Sequence, residues 1–254
     1  MPRKPRYFLP EVPTHIVQRG HNDGKVFFKD DDYHYYLTYL QKAAKRYQCA
    51  IHAYALVENQ VRILATPSSA DAISRMMQYL GRYYVAYVNS TYDNRGTIWD
   101  GRFRSCIVQN ETKIVLETMR YVESTPVRFG FSAVPAEHRW SSHHANALGK
   151  TDHVLTPHRS YLTLGNDSET RRESYRDFYN QKIDKNTTSR ICSAWRSGTP
   201  LGNDEFKRMI EKKLKIKLTN GKPGRPRKEQ QNTSRLLSSY GELLRNYTFK
   251  IAKR

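Results

Sequence analysis

The chain has 254 residues, with 43 Lys or Arg against 24 Asp or Glu and a formal net charge of +19 at pH 7, which places its pI near 9.9. Such a surplus exceeds what solubility asks for and points to a polyanionic partner, nucleic acid first, held partly through counterion release. No apolar run approaches the ~20 residues that cross a bilayer, and the basic start Met1-Pro-Arg-Lys-Pro-Arg6 is not followed by the apolar segment of a secretory signal, so no membrane role and a cytoplasmic location are expected.

The length suits one core with an extension. Cys49, Cys106 and Cys192 lie far apart without the pair spacing of a zinc or redox motif, and are expected to be small buried residues in a reducing compartment. Thr14 to Arg19 alternates as a strand. After a glycine-bounded loop and the apolar Val26, Phe27 and Phe28, acidic residues 30–32 open a helix over 31–47. Its stripe of Tyr33, Tyr36, Leu37, Leu40 and Ala44 reads as core.

Residues 50–66 form two adjacent strands about a Glu58-Asn59 turn. Ile51, Ala53, Ala55 and Val57 share one side of the first, and Gln60 and Arg62 share a face of the second. A second helix runs to about residue 89 with Ile73, Met76, Met77, Leu80, Tyr84 and Val88 as its stripe. Arg75 and Arg82 with Tyr79, Tyr83, Tyr84 and Tyr87 leave a basic, aromatic mixture, either a surface that stacks bases or a solvated face with core tyrosines.

The stretch 94–108 puts a loop before a strand and gathers Arg95, Arg102 and Arg104 with Trp99 and Phe103. Arginines beside aromatics, with glycines that admit close backbone approach, are expected to contact single-stranded nucleic acid. Asn110-Glu111 opens a helix carrying Ile114, Val115, Met119 and Val122, with Tyr121 in its last turns and Pro126 ending it.

Beyond Pro126 the chain turns, and His143, His144, His153 and His158 lack the cysteine or carboxylate spacing of a metal site, so packing or surface roles are expected. A charged helix over 168–181 precedes two short helices, 187–195 and 203–213. The pair resembles a helix-turn-helix loosely, but the connecting turn is long, and a hairpin packed on the preceding domain is favoured. The basic tail contains Gly221-Lys-Pro-Gly-Arg-Pro-Arg-Lys228. It resembles an AT-hook and is read as a phosphate-binding segment, followed by a possible helix over 234–246.

The segments Thr14-His-Ile-Val-Gln-Arg-Gly20, Gly96-Thr-Ile-Trp-Asp-Gly-Arg-Phe-Arg104, Met119-Arg-Tyr-Val-Glu-Ser-Thr-Pro-Val-Arg-Phe-Gly130 and Trp140-Ser-Ser142 resemble the REP-associated tyrosine transposases, of the single-tyrosine HUH family. That resemblance implies an α/β fold: a ferredoxin-like antiparallel sheet with helices of the HUH type over residues 1–149. A mostly helical basic extension would follow over 150–215, then the tail over 216–254. It also implies that Tyr121 occupies the place of a nucleophile that forms a 5′-phosphotyrosyl link, beside a divalent metal held by two histidines and an amide side chain. Here those three positions carry Gln60, Arg62 and Thr125. Glutamine and threonine oxygens are weak magnesium ligands, and a guanidinium has no lone pair to offer and repels the ion.

No cofactor is therefore expected, and the leading reading is binding of single-stranded or hairpin DNA without metal-dependent nicking. The residues assigned to DNA are Arg62, Arg95, Arg102, Arg104, Lys222, Arg225, Arg227 and Lys228. The alternative is an active transposase that nicks and rejoins DNA through Tyr121 with magnesium or manganese held in an altered manner.

Overall fold

A computed structural model describes residues 6–181 and 184–216. Strand β1 (Thr14–Arg19), helix α1 (Asp30–Arg46), strands β2 (Cys49–Val57) and β3 (Gln60–Pro67), helix α2 (Ala72–Thr91) and strand β4 (Arg104–Ile107) follow in that order. The strands form one sheet, β2-β3-β1-β4, with every neighbouring pair antiparallel. Inserting β3 between β1 and β2 makes a split βαβ unit, and the repeat of that pattern through α2 and β4 gives the ferredoxin-like arrangement. The fold expected from the sequence is the one observed.

Helix α1 begins where Asp32 can close its first turn: its carboxylate accepts the Phe28 and Lys29 backbone N–H groups at 2.7 and 3.0 Å. The Tyr87 and Tyr92 hydroxyls donate to the same carboxylate, tying α2 to α1. Tyr36, Leu40, Ile73, Met76, Leu80 and Tyr84 then bury one sheet face together with Ile16, Leu56, Val61 and Ile63.

The opposite face belongs to α3 (Thr112–Glu123), α4 (Thr125–Arg128), α7 (Ser168–Asn180) and α8 (Lys185–Ser197), with the one-turn helices α5 (His143–Asn146) and α6 (Arg159–Leu162) between. Val17, Ala53, Ala55, Leu64 and Cys106 of the sheet pack there against Val115, Met119, Val122, Tyr175, Ile191 and Trp195. Residues beyond 150 thus share a core with the strands. Helix α8 packs on β4, β1 and α3, and α9 (Asp204–Leu214) follows it with Phe206 and Ile210 buried. Gly198, at φ 73°, ends α8 in the left-handed conformation that glycine adopts without strain.

The alternation read in β2 needs one correction. A bulge between Ile51 and Ala53 shifts the register, so Ile51 faces the α1–α2 layer while Ala53 and Ala55 face α3. His52, at the bulge, is buried, with its ring nitrogens 2.7 Å from the Thr156 carbonyl and 2.8 Å from Thr66 Oγ1.

Both outer strands are covered. On β2, Leu56 N donates to Trp140 O, Ser142 N to Tyr54 O and Thr156 N to Ile51 O; on β4, Leu201 N donates to Ile107 O and Gln109 N to Leu201 O. The later segments are fixed to α3 through Glu123, which is 0% exposed. Its carboxylate accepts from Ser142 Oγ (2.6 Å), Asn146 Nδ2 (2.7 Å) and Tyr175 Oη (2.8 Å).

Cys49 and Cys106 are free and buried, and burial pushes both thiols up to about 12. Cys192 is only half-buried, short of the full burial expected. The AT-hook-like segment, with Lys222, Arg225, Arg227 and Lys228, and the possible terminal helix lie outside the described residues.

The buried imidazoles set an acid limit to stability. Burial holds His52 down at about 4, against an ordinary 6.5, and also lowers His15, His138 and His158. Unfolded, these rings take a proton near 6.5, so below that value the unfolded chain binds more protons than the folded one. Stability should therefore fall as pH drops from about 6.5 towards about 4, the window of His52. Thermal melting across that range checks this; a melting temperature that stays level there would refute it.

Candidate functional site

Strand β3 enters the sheet at Gln60 and alternates, so Gln60 and Arg62 point together towards α3. The amide and the guanidinium are bonded: Arg62 Nη2 donates to Gln60 Oε1 at 3.2 Å. Across from them, the last turns of α3 supply Tyr121. Thr125 belongs to the separate one-turn helix α4, yet still donates from Oγ1 to the Tyr121 carbonyl at 3.5 Å. Gln60, Arg62, Tyr121 and Thr125, separated by up to 65 positions, therefore meet in one place.

Arg62 is only 2% exposed. Its guanidinium lies 5.4 Å from the Tyr121 ring centre, 5.0 Å from that of Trp195 and 5.8 Å from that of Phe129. Nε and Nη1 have no hydrogen-bond partner. Burial lowers Arg62 to about 10, with Tyr121 opposing the drop and Arg128 adding to it, so the group stays cationic at neutral pH. Arg62, expected to meet a phosphate where the family's metal sits, is thus buried beside Tyr121 and Trp195.

Three residues of this site were not singled out in the sequence. Arg128 sits 3.8 Å from the Tyr121 ring centre and donates from Nη2 to the Tyr121 carbonyl (2.8 Å) and Thr125 Oγ1 (3.1 Å), and from Nε to Ser124 Oγ (3.2 Å). The spacing Tyr121, Ser124, Thr125, Arg128 is that of one helix face, but Pro126 disguised it as a turn. Trp195 Nε1 donates to the Tyr121 hydroxyl at 3.4 Å, a long-range contact with no local signature. His15 on β1 is edge-on to Tyr121, ring centres 5.8 Å apart, with neither nitrogen bonded. Burial first, then Arg62 and Arg128, holds it well below the ordinary imidazole range.

These residues do not suit a divalent cation. Gln60 Oε1 is engaged by Arg62 and Thr125 Oγ1 by Arg128, and two guanidiniums flank the phenol where positive charge would have to be added.

Arg95, Arg102 and Arg104 are exposed as expected, and Arg104 stands in register with Val17, which on its other side pairs with Arg62. Arg62 and Arg104 are thus two strands apart on one face, about 10 Å by sheet geometry. Trp99 and Phe103, 4% and 9% exposed, belong to the core instead of a base-stacking surface. The α2 tyrosines divide similarly: Tyr84 is buried and donates to Val26 O. Tyr87 stacks on Tyr35 (4.0 Å) and Tyr83 on Tyr39 (4.7 Å), and Tyr83 also packs at a tilt against Tyr79 (4.6 Å). Of the histidines, His158 accepts from Ser160 N and packs on His52, while His143 lies 3.6 Å from Glu123.

The family described as transposase, IS200-like, matches residues 9–125. Over those residues the chain is similar to the IS200-like transposases. Among solved structures, the chain is similar to a REP-associated tyrosine transposase bound to a REP hairpin. That match has a TM-score of 0.50 and 14% identity, over 62% of this chain and 93% of that one. A chain described as a transposase from Deinococcus radiodurans R1 aligns at TM-score 0.32 and 14% identity, over 46% of this chain and 93% of that one. Comparison with curated proteins finds no match. Among the described residues, no helix is long and apolar enough to cross a membrane.

Proposed function

We propose that this transposase-family protein binds single-stranded or hairpin DNA and has lost metal-dependent nicking. The observation that carries the reading is the guanidinium of Arg62, seated between Gln60 and Tyr121 with two of its nitrogens unpartnered. A fixed fork of N–H donors there is suited to a phosphate and unsuited to a magnesium ion. The net charge of +19 and the exposed Arg95, Arg102 and Arg104 support a polyanionic partner. A structural neighbour bound to a REP hairpin supports hairpin DNA in particular.

The test is binding of a hairpin oligonucleotide with unpaired flanks. Arg62→Ala should weaken binding by about 1 to 3 kcal/mol, the range for a charge-assisted contact, while Tyr121→Phe leaves affinity nearly unchanged. Absence of hairpin binding by the intact protein would sink the proposal, as would nicking that appears only on adding magnesium or manganese.

A further inference from the structure

We propose that the outer face of the α1–α2 pair, on the side of the sheet away from Tyr121, holds the phosphate backbone of duplex DNA without regard to its sequence. This is a second surface. It rests on the proposed DNA binding for the class of its partner, and it uses neither Arg62 nor the arginines of the loop before β4.

Helical spacing puts Tyr35, Tyr39, Lys42 and Arg46 in one line on α1, and Arg75, Tyr79, Tyr83 and Tyr87 in one line on α2. The two lines meet. Tyr87, Tyr35, Tyr39, Tyr83, Tyr79 and Tyr47 follow one another with ring centres 4.0, 4.6, 4.7, 4.6 and 6.0 Å apart. Lys42 Nζ stands 4.8 Å from the Tyr39 ring centre, and the Arg46 guanidinium 5.4 Å from that of Tyr79 and 5.7 Å from that of Tyr47. The row thus closes the seam between the helices and fixes two cations along it.

Charge on this face has one sign. From Tyr33 to Arg46, and through the whole of α2, the chain has no Asp or Glu, whereas it has Lys42, Lys45, Arg46, Arg75 and Arg82. Arg75 pairs with Asp71, just before α2. Lys42, Lys45, Arg46 and Arg82 are exposed, and among the described residues no ion pair joins any of them to a carboxylate. Four such cations on two rigid helices attract a polyanion. Which polyanion follows from the rings. A single strand is held by bases that stack on open aromatic faces. Here Tyr35 stacks on both Tyr39 and Tyr87, Tyr39 stacks on both Tyr35 and Tyr83, and Lys42 and Arg46 lie against Tyr39 and Tyr79, so these faces are taken. Phosphates remain for the cations. Duplex DNA turns its bases inward and presents a dense line of phosphates, and the line from Tyr35 to Arg46, about 16 Å of straight helix, suits a partner that is itself stiff.

The test is fluorescence anisotropy of the full chain with a labelled blunt duplex that has no hairpin and no unpaired ends, between roughly 50 and roughly 200 mM salt. Lys42→Gln, Arg46→Gln and Arg82→Gln should each bind about tenfold more weakly at the low-salt end and flatten the slope of log affinity against log salt by about 0.9, the counterion contribution of one phosphate. Their melting temperatures should match the wild type, and Arg62→Ala should bind the duplex as the wild type does. If Arg46→Gln loosens the row of rings, Lys42→Gln and Arg82→Gln carry the test. Duplex affinity and slope unchanged in these variants would overturn the inference. So would a loss confined to an unpaired oligonucleotide, which would assign the face to single strands, or a change of oligomeric state on sedimentation with duplex binding intact, which would assign it to a second copy of the chain. The proposed role of Arg62 fails separately: a hairpin bound equally by the wild type and Arg62→Ala, yet weakly by Lys42→Gln and Arg82→Gln, would sink that role and leave this surface standing.

Discussion

Replacing Glu123 with alanine should lower the free energy of unfolding by about 3 to 5 kcal/mol. The side chain is wholly buried and its carboxylate is the common acceptor for Ser142, Asn146 and Tyr175. Removing it strands three donors in a dry interior at about 1 to 3 kcal/mol each, less what local relaxation recovers. It also unties three parts of the chain from the end of α3: the segment before α5, α5 itself and α7. Because Tyr121 precedes Glu123 by only two positions, the candidate nucleophile would lose its support as well. Urea unfolding of the wild type, Glu123→Ala and Glu123→Gln measures the effect. Glutamine keeps an acceptor oxygen and should cost less than alanine. A loss under about 1 kcal/mol for alanine would show that water takes over the acceptor role and that the network is not structural.

Hairpin affinity should fall by about 10³ between roughly 50 and roughly 200 mM monovalent salt, as for a protein that neutralises six or more phosphates. Arg95, Arg102 and Arg104 are exposed on the loop and strand beside the site, and Lys222, Arg225, Arg227 and Lys228 add four cations in the tail. Each phosphate neutralised contributes about 0.7 to 0.9 to the slope of log affinity against log salt. Deleting residues 222–228 should flatten that slope by about 3. A slope that is shallow in the intact protein would mean that the charge surplus is not spent on DNA. An unchanged slope on deletion would confine the contacts to residues outside this segment.

The parts of this structure that were legible in the sequence are those governed by short-range periodicity. Gln60 and Arg62 had to share a face because side chains alternate along a strand. The stripes of α1 and α2 located their buried sides because three or four residues make a helical turn. What alternation cannot see is an inserted residue, and the bulge at His52 sent Ile51 and Ala53 to opposite faces. Nor does composition tell a stacking platform from a core: Trp99 and Phe103 sit beside exposed arginines in sequence but point inwards. The site was half visible. Tyr121, Gln60, Arg62 and Thr125 were named through resemblance, whereas Trp195 reaches Tyr121 across 74 positions, and only tertiary packing of α8 brings it there.

Covering β2 with the segments around Trp140 and Thr156, and β4 with the segment at Leu201, has a consequence for how the chain behaves in company. A sheet with bare outer strands offers rows of unpaired backbone groups to any neighbouring chain, a ready template for adhesion between copies. Here those rows are already used by the protein's own later residues. A fragment trimmed to the strands and their first helices would keep the ferredoxin-like connectivity and lose this sheathing. In the folded chain the later residues therefore occupy backbone groups that would otherwise be open to other copies, a role separate from anything they do near Tyr121.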